Sequence, residues 1–334
     1  MTTGPTTEAV AERPEPDPPA RVREHSSWPI ILMVLGGALL AAQARVNGEL
    51  HDRLGGTTPV AVLVALVSFA VGTLVVLAAL FASARARRAL KELPVHIHEL
   101  RWWFFLGGIG GATLVSVSAA AVPIIGVALL SVCTVAGQTA GSLAVDEFGL
   151  GPGGRRPITT RRAVGAIVAV GALLLATVGH PRGDFSIGLV IAITIAGVLV
   201  AGQVAVNGQL AVSTREPRIA AAVSFIGGTL VLAALTGVFA GTGRLHDLDW
   251  PNEFWLYLGG IGGAIYIVLG AATVAGLGVL RLSLASVAGQ LLASVMLDVF
   301  APAPGEGLAA TTIVGVFLTF VAVAITASSR TPTK

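Results

Sequence analysis

The sequence predicts an all-α integral membrane protein whose ten transmembrane helices form two inverted-topology five-helix repeats. Composition indicates the membrane: 54% of the 334 residues are hydrophobic and 12% are charged, with a mean hydropathy of +0.84. A soluble domain carries about 25% charged residues, so a water-soluble enzyme and a disordered chain are both excluded. The helix arrangement follows from ten apolar stretches and from an internal repeat.

Ten stretches are long enough to span a bilayer, because a helix needs about 20 mostly apolar residues to cross the hydrocarbon core. The predicted spans are roughly 29–49, 58–81, 103–121, 125–145, 161–179, 186–210, 218–240, 254–274, 277–298 and 308–328. Short connections are expected at 122–124 and 275–276, where the glycine-rich sequence remains apolar.

The polar segments divide the chain. Residues 1–27 are rich in proline and acidic residues, and we expect a disordered cytoplasmic tail because they cannot bury enough apolar surface to fold. The first five-span repeat is expected over 28–180 and the second over 181–329. Residues 330–334 are expected to form a short cytoplasmic carboxyl terminus.

Basic residues predict the orientation. With the amino terminus inside, sixteen Lys and Arg residues fall in cytoplasmic segments, and only Arg53, Arg182 and Arg244 fall in the opposite loops. Basic residues concentrate on the cytoplasmic side, so we expect a cytoplasmic-membrane protein with both termini inside. The same segregation explains the pI of about 9.6 without a nucleic-acid partner.

Four sequence motifs occur twice in the same order. The pairs are AQARVNGEL and GQVAVNGQL (42–50, 202–210), VSFAVGTLVV and VSFIGGTLVL (67–76, 223–232), LGGIGGA twice (106–112, 258–264), and VAGQTAGSLAVD and VAGQLLASVMLD (135–146, 287–298). Their offsets are 160, 156, 152 and 152 residues, which indicates a duplication with loop deletions.

An odd number of spans in each copy has a topological consequence. The second copy must enter the membrane from the opposite side, which gives inverted repeats related by a two-fold axis in the membrane plane. Such repeats are typical of secondary transporters, whose near-equal halves exchange inward- and outward-facing conformations around one central site. The architecture therefore predicts transport by alternating access.

These motifs resemble the drug/metabolite transporter (DMT) superfamily. The paired Q-x-x-V-N-G-x-L, V-S-F-x-x-G-T-L and L-G-G-I-G-G-A segments are similar to its YdcZ-like inner-membrane exporters. The resemblance covers about residues 30–328, as two fused five-span units where many relatives resemble a single unit. It implies the fold and an exporter, and it implies no particular substrate.

The first candidate site lies on spans four and nine. Gln138, Ser142 and Asp146 are spaced i, i+4 and i+8, which places them on one helical face. The second repeat carries the same face at the equivalent positions, which are Gln290, Ser294 and Asp298. The amides and hydroxyls are expected either to contact substrate or to make interhelical hydrogen bonds.

The two aspartates fall at helix carboxyl ends, where a carboxylate opposes the helix dipole. Asp146 and Asp298 are therefore candidates for a gate or for proton coupling. The alternative is that each is a solvated residue at a loop edge that pairs with a nearby arginine.

A second candidate site lies on spans one and six. Gln43 and Asn47 are spaced i, i+4, as are Gln203 and Asn207, so each pair shares a face. These amides are expected either to line the pathway or to bond backbone groups freed at the following glycine. Arg45 has no equivalent in the second repeat. It is expected to pair with Glu49. Its guanidinium is expected either to attract an anionic substrate or to extend to the outer membrane–water interface.

The sequence predicts no enzyme and no cofactor. It contains no P-loop, no HExxH motif and no nucleophile–base pair, and its one cysteine, Cys133, excludes disulfides and cysteine zinc sites. We expect a membrane-embedded monomer of two repeats, or a homodimer. Its expected substrate is a small polar or amphipathic metabolite or drug, more often neutral or zwitterionic than cationic. The alternatives are a flippase for a lipid-linked headgroup and a non-transporting membrane partner.

Overall fold

The computed structural model describes residues 28–96, 102–152, 154–178, 187–246, 248–302 and 309–327. The predicted tail and carboxyl terminus lie outside these residues. The α-helices are α1 (Trp28–Arg53), α2 (Thr58–Ala82), α3 (Ala84–His96), α4 (Gly107–Glu147), α5 (Thr160–Val178), α6 (Ile187–Thr214), α7 (Pro217–Gly241), α8 (Gly259–Phe300) and α9 (Ala310–Ala327). Short 3₁₀ turns, Trp102–Leu106 and Phe254–Leu258, precede α4 and α8.

The helices have the length and composition of membrane spans. Within the described residues, six of them (α1, α2, α4, α5, α6 and α7) are long and apolar enough to cross a membrane. Phe254–Leu269, Ala285–Phe300 and Ala310–Ile325 are shorter apolar segments. The chain is therefore all-helical in its described part, with the apolar character of a membrane protein.

Two of the helices each contain two predicted spans. At about 1.5 Å per residue, the 41 residues of α4 would extend about 60 Å, which is twice the thickness of the hydrocarbon core. α4 is instead broken at Gly126, whose φ of 73° and ψ of 171° are not helical. The connection thus lies just after the predicted residues 122–124. α8, with 42 residues, covers the eighth and ninth predicted spans.

α3 is a helix that lies outside the ten predicted spans. It is a polar, basic helix of 13 residues that follows α2, and Arg85 at its start lies 3.7 Å from the carboxylate of the buried Glu216. Glu216 also accepts a hydrogen bond from Arg218 at the start of α7. These contacts attach the basic helix to α7.

The packing of the helices follows the sequence repeat. α1 packs along α8, and α6 packs along α4. The repeat motifs make α1 equivalent to α6 and α4 equivalent to α8, so these two contacts correspond to each other. α2 packs on α7 and α5 packs on α9, and each of these pairs joins equivalent helices. The interface between the halves is therefore built from equivalent contacts.

Glycines permit the two longest helix contacts. A Cβ at Gly289 of α8 would lie 1.8 Å from the carbonyl oxygen of Val34 in α1, and one at Gly137 of α4 would lie 2.0 Å from that of Thr194 in α6. On the facing helices, a Cβ at Gly37 would lie 1.9 Å from the opposite backbone and one at Gly197 would lie 2.6 Å from it. Small residues of this kind let membrane helices approach until their backbones touch.

Candidate functional site

Gln138 and Gln290 lie beside these two backbone crossings, on equivalent faces of α4 and α8. Both side chains are half-buried, and neither has a hydrogen-bond partner in the described part of the chain. On α8 the exposed Leu292 and Met296 lie on the opposite side of the helix from Gln290. Gln290 therefore lies on the face of α8 that is turned away from these exposed residues, and both glutamines keep their amide donors and acceptors available.

The serines one turn further along differ in their surroundings. Ser294 is fully buried and donates its hydroxyl to the carbonyl oxygen of Leu291 at 2.8 Å. Ser142, its equivalent on α4, is exposed. Two residues that the sequence makes equivalent are thus in different environments in this conformation.

Asp146 lies at the end of α4 and bonds Arg162 of α5 through its carboxylate. The backbone carbonyl of Asp146 accepts the N–H of Arg156 at 2.8 Å, so the following loop folds back onto the helix end. Glu147 likewise bonds Arg155, whose guanidinium lowers the pKa of the Glu147 carboxyl. Asp146 is thus held at a basic loop edge by Arg162.

Asp298 is in a different position, and it is not a solvated residue at a loop edge. Its side chain is buried, with a residue exposure of 7%. The carboxylate accepts the backbone N–H of Val127 at 2.9 Å and that of Ala128 at 2.7 Å, both from α4 in the other repeat. These are the first residues after the break at Gly126, so Asp298 caps the second arm of α4.

The amides of α1 bond a serine of α2. Gln43 Nε2 and Asn47 Nδ2 donate to Ser68 Oγ at 3.3 and 3.2 Å. The same side chains lie against the glycine-rich start of α8, where a Cβ at Gly263 would lie 2.7 Å from Gln43 Oε1. The Gln43 oxygen is buried without a hydrogen-bond partner.

The second repeat has the equivalent arrangement. Ser224 of α7 donates to Asn207 Oδ1 at 2.6 Å, and the backbone N–H of Gly111 donates to Gln203 Oε1. The structure therefore places the four amides of spans one and six in contacts that join α1 to α2 and α8, and α6 to α7 and α4. The serines were not singled out by the sequence reasoning, although they are part of its repeated V-S-F motif.

The contacts where α2 crosses α7 were likewise not predicted from the sequence. Thr73 and Thr229 hydrogen bond each other at 2.9 Å, and the rings of Phe69 and Phe225 lie 5.2 Å apart. These are equivalent residues of the two V-S-F-x-x-G-T-L motifs. Like residues from the two halves therefore meet across the interface.

Arg45 has a different partner from the one expected. Its guanidinium donates to the carbonyl oxygen of Pro302 at 3.4 Å. Glu49 instead accepts from Arg53 at 2.9 Å, and Arg53 also bonds Glu253 at 2.6 Å. The expected Arg45–Glu49 pair is wrong, because Arg53, also at i+4 from Glu49, binds that carboxylate.

An apolar groove of about 440 Å³ lies between α5 and α6. Its lining residues are Leu173, Leu174, Thr177, Ile187, Val190, Ile191, Thr194 and Ile195. Thr177 and Thr194 both donate their hydroxyls to carbonyls of their own helices. The groove therefore offers apolar surface and no free hydroxyl donor.

In the described residues, no group of three or more His, Cys, Asp or Glu side chains could hold a metal ion. Searches of the curated proteins and of the solved structures gave no match. One family matches the chain twice, over residues 28–175 and 188–325, and it is described as "Putative inner membrane exporter, YdcZ". The two matched regions cover most of the chain and carry the repeated motifs. The chain therefore belongs to the YdcZ family of the DMT superfamily.

Proposed function

We propose that the chain is a secondary exporter that moves a small polar or amphipathic solute by alternating access around Gln138 and Gln290. The observation that carries this proposal is the pair of half-buried glutamines at equivalent positions, whose amide groups have no partner in the described residues. Polar groups inside a membrane are costly unless they are satisfied, so unused ones are candidates for binding a solute. Membership of an exporter family supports the same function.

The proposed architecture has ten spans in two inverted repeats. The packing supports it, because α1–α8 and α6–α4 are equivalent contacts and α2–α7 and α5–α9 join equivalent helices. Two halves that are related in this way can exchange conformations, and each exchange carries the central site from one side of the membrane to the other.

The substrate class follows from the side chains of the proposed site. A primary amide offers a carbonyl acceptor and two N–H donors but no charge. Gln138 and Gln290 therefore suit a neutral or zwitterionic solute with its own donors and acceptors. The acidic residues nearest to them on the same faces, Asp146 and Asp298, are two helical turns away at the helix ends.

We propose that four other amides hold neighbouring helices together: Gln43, Asn47, Gln203 and Asn207. Their hydrogen bonds to Ser68, Ser224 and Gly111 join neighbouring helices. A bonded amide is not available to a solute unless that bond breaks. We therefore assign these residues to helix association and place the solute at Gln138 and Gln290.

The test is flux in liposomes that contain the purified protein. The probes are a panel of radiolabelled amino acids, nucleosides and sugars together with cationic dyes, with and without a pH gradient. The Gln138→Ala/Gln290→Ala variant should lose at least about tenfold of any flux that the parent shows, because losing hydrogen bonds to a desolvated solute costs at least about 1.4 kcal/mol. Gln209→Ala is the matched control, since Gln209 lies at the end of α6, away from the proposed site, and donates its side chain to the carbonyl oxygen of Leu150.

Two results would overturn parts of this proposal. Flux that is equal in the double variant and the parent would remove the glutamines from the site. No flux across the panel, from protein shown to be folded, would contradict solute export.

A lipid flippase is the second candidate, and the groove between α5 and α6 favours it. The groove is apolar and of a size that holds an acyl chain. Reconstituted protein would then move fluorescent lipid between leaflets, as measured by dithionite quenching. Replacing Ile191 by Trp should block that movement and leave solute flux unchanged.

A further inference from the structure

The bond between Asp298 and α4 satisfies groups that a broken helix leaves unpaired. The first N–H groups of a helix have no partner within it, and Gly126 makes Val127 and Ala128 the first residues of the second arm. Asp298 accepts both N–H groups, at 2.9 and 2.7 Å. A negative charge is also favoured there by the helix dipole.

This bond gives a reason for a carboxylate at the carboxyl end of α8. Asp298 opposes the dipole of its own helix but lies at the amino-terminal end of another. The cap joins the two repeats, because the bonded residues are 171 and 170 positions apart. One end of the bundle is therefore closed by a contact between the halves.

The other repeat has the same two parts in its sequence. GVALLS at 126–131 corresponds to GVLRLS at 278–283, with the offset of 152 that relates Asp146 to Asp298. The equivalent of the observed cap is a bond from the Asp146 carboxylate to the backbone N–H groups of residues 279 and 280. In this structure the described partner of the Asp146 carboxylate is Arg162.

The serines next to the two aspartates also differ, because one is buried and the other is exposed. Ser294, one turn before Asp298, is fully buried, whereas Ser142, one turn before Asp146, is exposed. At the Asp298 end the serine is thus buried and the cap is formed, whereas at the Asp146 end the equivalent serine is exposed. By the orientation that the basic residues predict, Asp298 is at the outer face and Asp146 at the cytoplasmic face.

We propose that Asp298 and Asp146 are alternating gate residues: Asp298 caps α4 when the outer side is closed, and Asp146 caps α8 when the cytoplasmic side is closed. α8 is a single helix over Gly259–Phe300 in this conformation, so the exchange includes the opening of a break after Gly278. The present conformation is closed outside by Asp298. In the opposite conformation Asp146 leaves Arg162 and caps the arm that follows Gly278, while the Asp298 cap opens. This proposal rests on the exchange of inverted repeats in the proposed function, and it adds the contacts that define the two closed ends.

Cysteine accessibility tests the gate without a known substrate. Ser294→Cys and Ser142→Cys report on the two ends, and Cys133, the one native cysteine, is buried. A membrane-impermeant maleimide is applied to intact cells and to inside-out vesicles. Without further change, Ser142→Cys should react from the cytoplasmic side and Ser294→Cys should be protected on both sides.

Removing the Asp298 cap should shift the equilibrium from the conformation that is closed outside to the one that is closed inside. Asp298→Ala is expected to raise outside labelling of Ser294→Cys and lower inside labelling of Ser142→Cys, each on the order of tenfold, which is the scale of losing a strong helix cap. Asp298→Asn, which keeps one acceptor and the side-chain size, should give a smaller shift in the same direction. Asp249→Ala is the matched control, because Asp249 is an exposed aspartate in a loop on the same predicted side.

Asp146→Ala supplies the opposite test, and it removes no cap in the conformation described. It should keep Ser294→Cys protected, raise inside labelling of Ser142→Cys, and slow flux of any transported probe. The gate proposal is overturned if Asp298→Ala and Asp298→Asn leave both labelling rates unchanged. It is equally overturned if both reporters become reactive together, since that result marks a structural cap.

The gate and the proposed function can fail separately. Flux that depends on Gln138 and Gln290, together with unchanged labelling in the aspartate variants, refutes the gate alone. Absence of flux from folded protein refutes the exporter, whatever the labelling shows.

Discussion

The contact between α1 and α8 predicts a large effect from adding one methyl group. An alanine Cβ at Gly289 would lie 1.8 Å from the Val34 carbonyl oxygen, whereas ordinary contacts begin near 3.4 Å. The helices would have to separate by about 1.6 Å, and both atoms are held by backbone, so no rotamer change relieves the overlap. Overpacking of a well-packed core costs about 1–3 kcal/mol, and we expect Gly289→Ala to lower the free energy of unfolding by at least this much.

The measurement is equilibrium unfolding of the purified protein in detergent, followed by tryptophan fluorescence. Gly237→Ala in α7 is the matched control, because a Cβ there meets nothing within 4 Å. The control should be neutral or should stabilise by up to about 1 kcal/mol, the difference in helix propensity between the two residues. Gly197→Ala, whose Cβ would lie 2.6 Å from a backbone oxygen, should fall between them. Equal stability of all three variants would refute the backbone contact between α1 and α8.

Further predictions distinguish the residues assigned to helix association from those assigned to solute binding. One more concerns an ion pair. Gln43→Ala should lower stability by about 1 kcal/mol because it breaks a part-buried hydrogen bond, whereas Gln290→Ala should leave thermal unfolding unchanged. Ser68→Ala should cost about 1–3 kcal/mol, since it leaves two amide donors unpaired. Arg53 lowers the pKa of Glu253, so this carboxylate stabilises the fold above its ordinary pKa and loses that effect as pH falls through the lowered value. Glu253→Gln should therefore reduce the acid sensitivity of thermal unfolding measured between pH 3 and 7.

The sequence contains the same set of motifs twice, and this repetition makes most of the helix order predictable. The lengths of the apolar stretches indicate the helices. The duplicated motifs make Gln138 equivalent to Gln290, and Asn47 equivalent to Asn207. From the sequence, the LGGIGGA segments are recognised only as a repeated motif. In the structure their glycines contact the very amides and serines that the other two motifs supply.

The position of the helix break was less predictable. Pro123 lies within α4, and the polypeptide turns three residues later at Gly126. Local sequence does not distinguish these positions, because the break is completed by Asp298, a residue 171 positions away from Val127. A long-range cap of this kind has no local signature.

The difference between Ser142 and Ser294 was not predictable from sequence at all. The repeats are nearly symmetric, and symmetric sequences predict equal environments for equivalent residues. One buried serine and one exposed serine are a property of the conformation that the chain has adopted. The same holds for Asp146 and Asp298, which bond an arginine and a helix end respectively.

The most direct test of the central claim is the side of the membrane on which equivalent loops lie. Glu92, in the segment after span two, and His246, in the segment after span seven, are both exposed. Glu92→Cys and His246→Cys are made separately, and intact cells are treated with an impermeant maleimide before and after permeabilisation. Inverted repeats predict that His246→Cys reacts in intact cells and that Glu92→Cys reacts only after permeabilisation. Labelling of both residues from the same side would contradict the inverted repeats and the alternating access that depends on them.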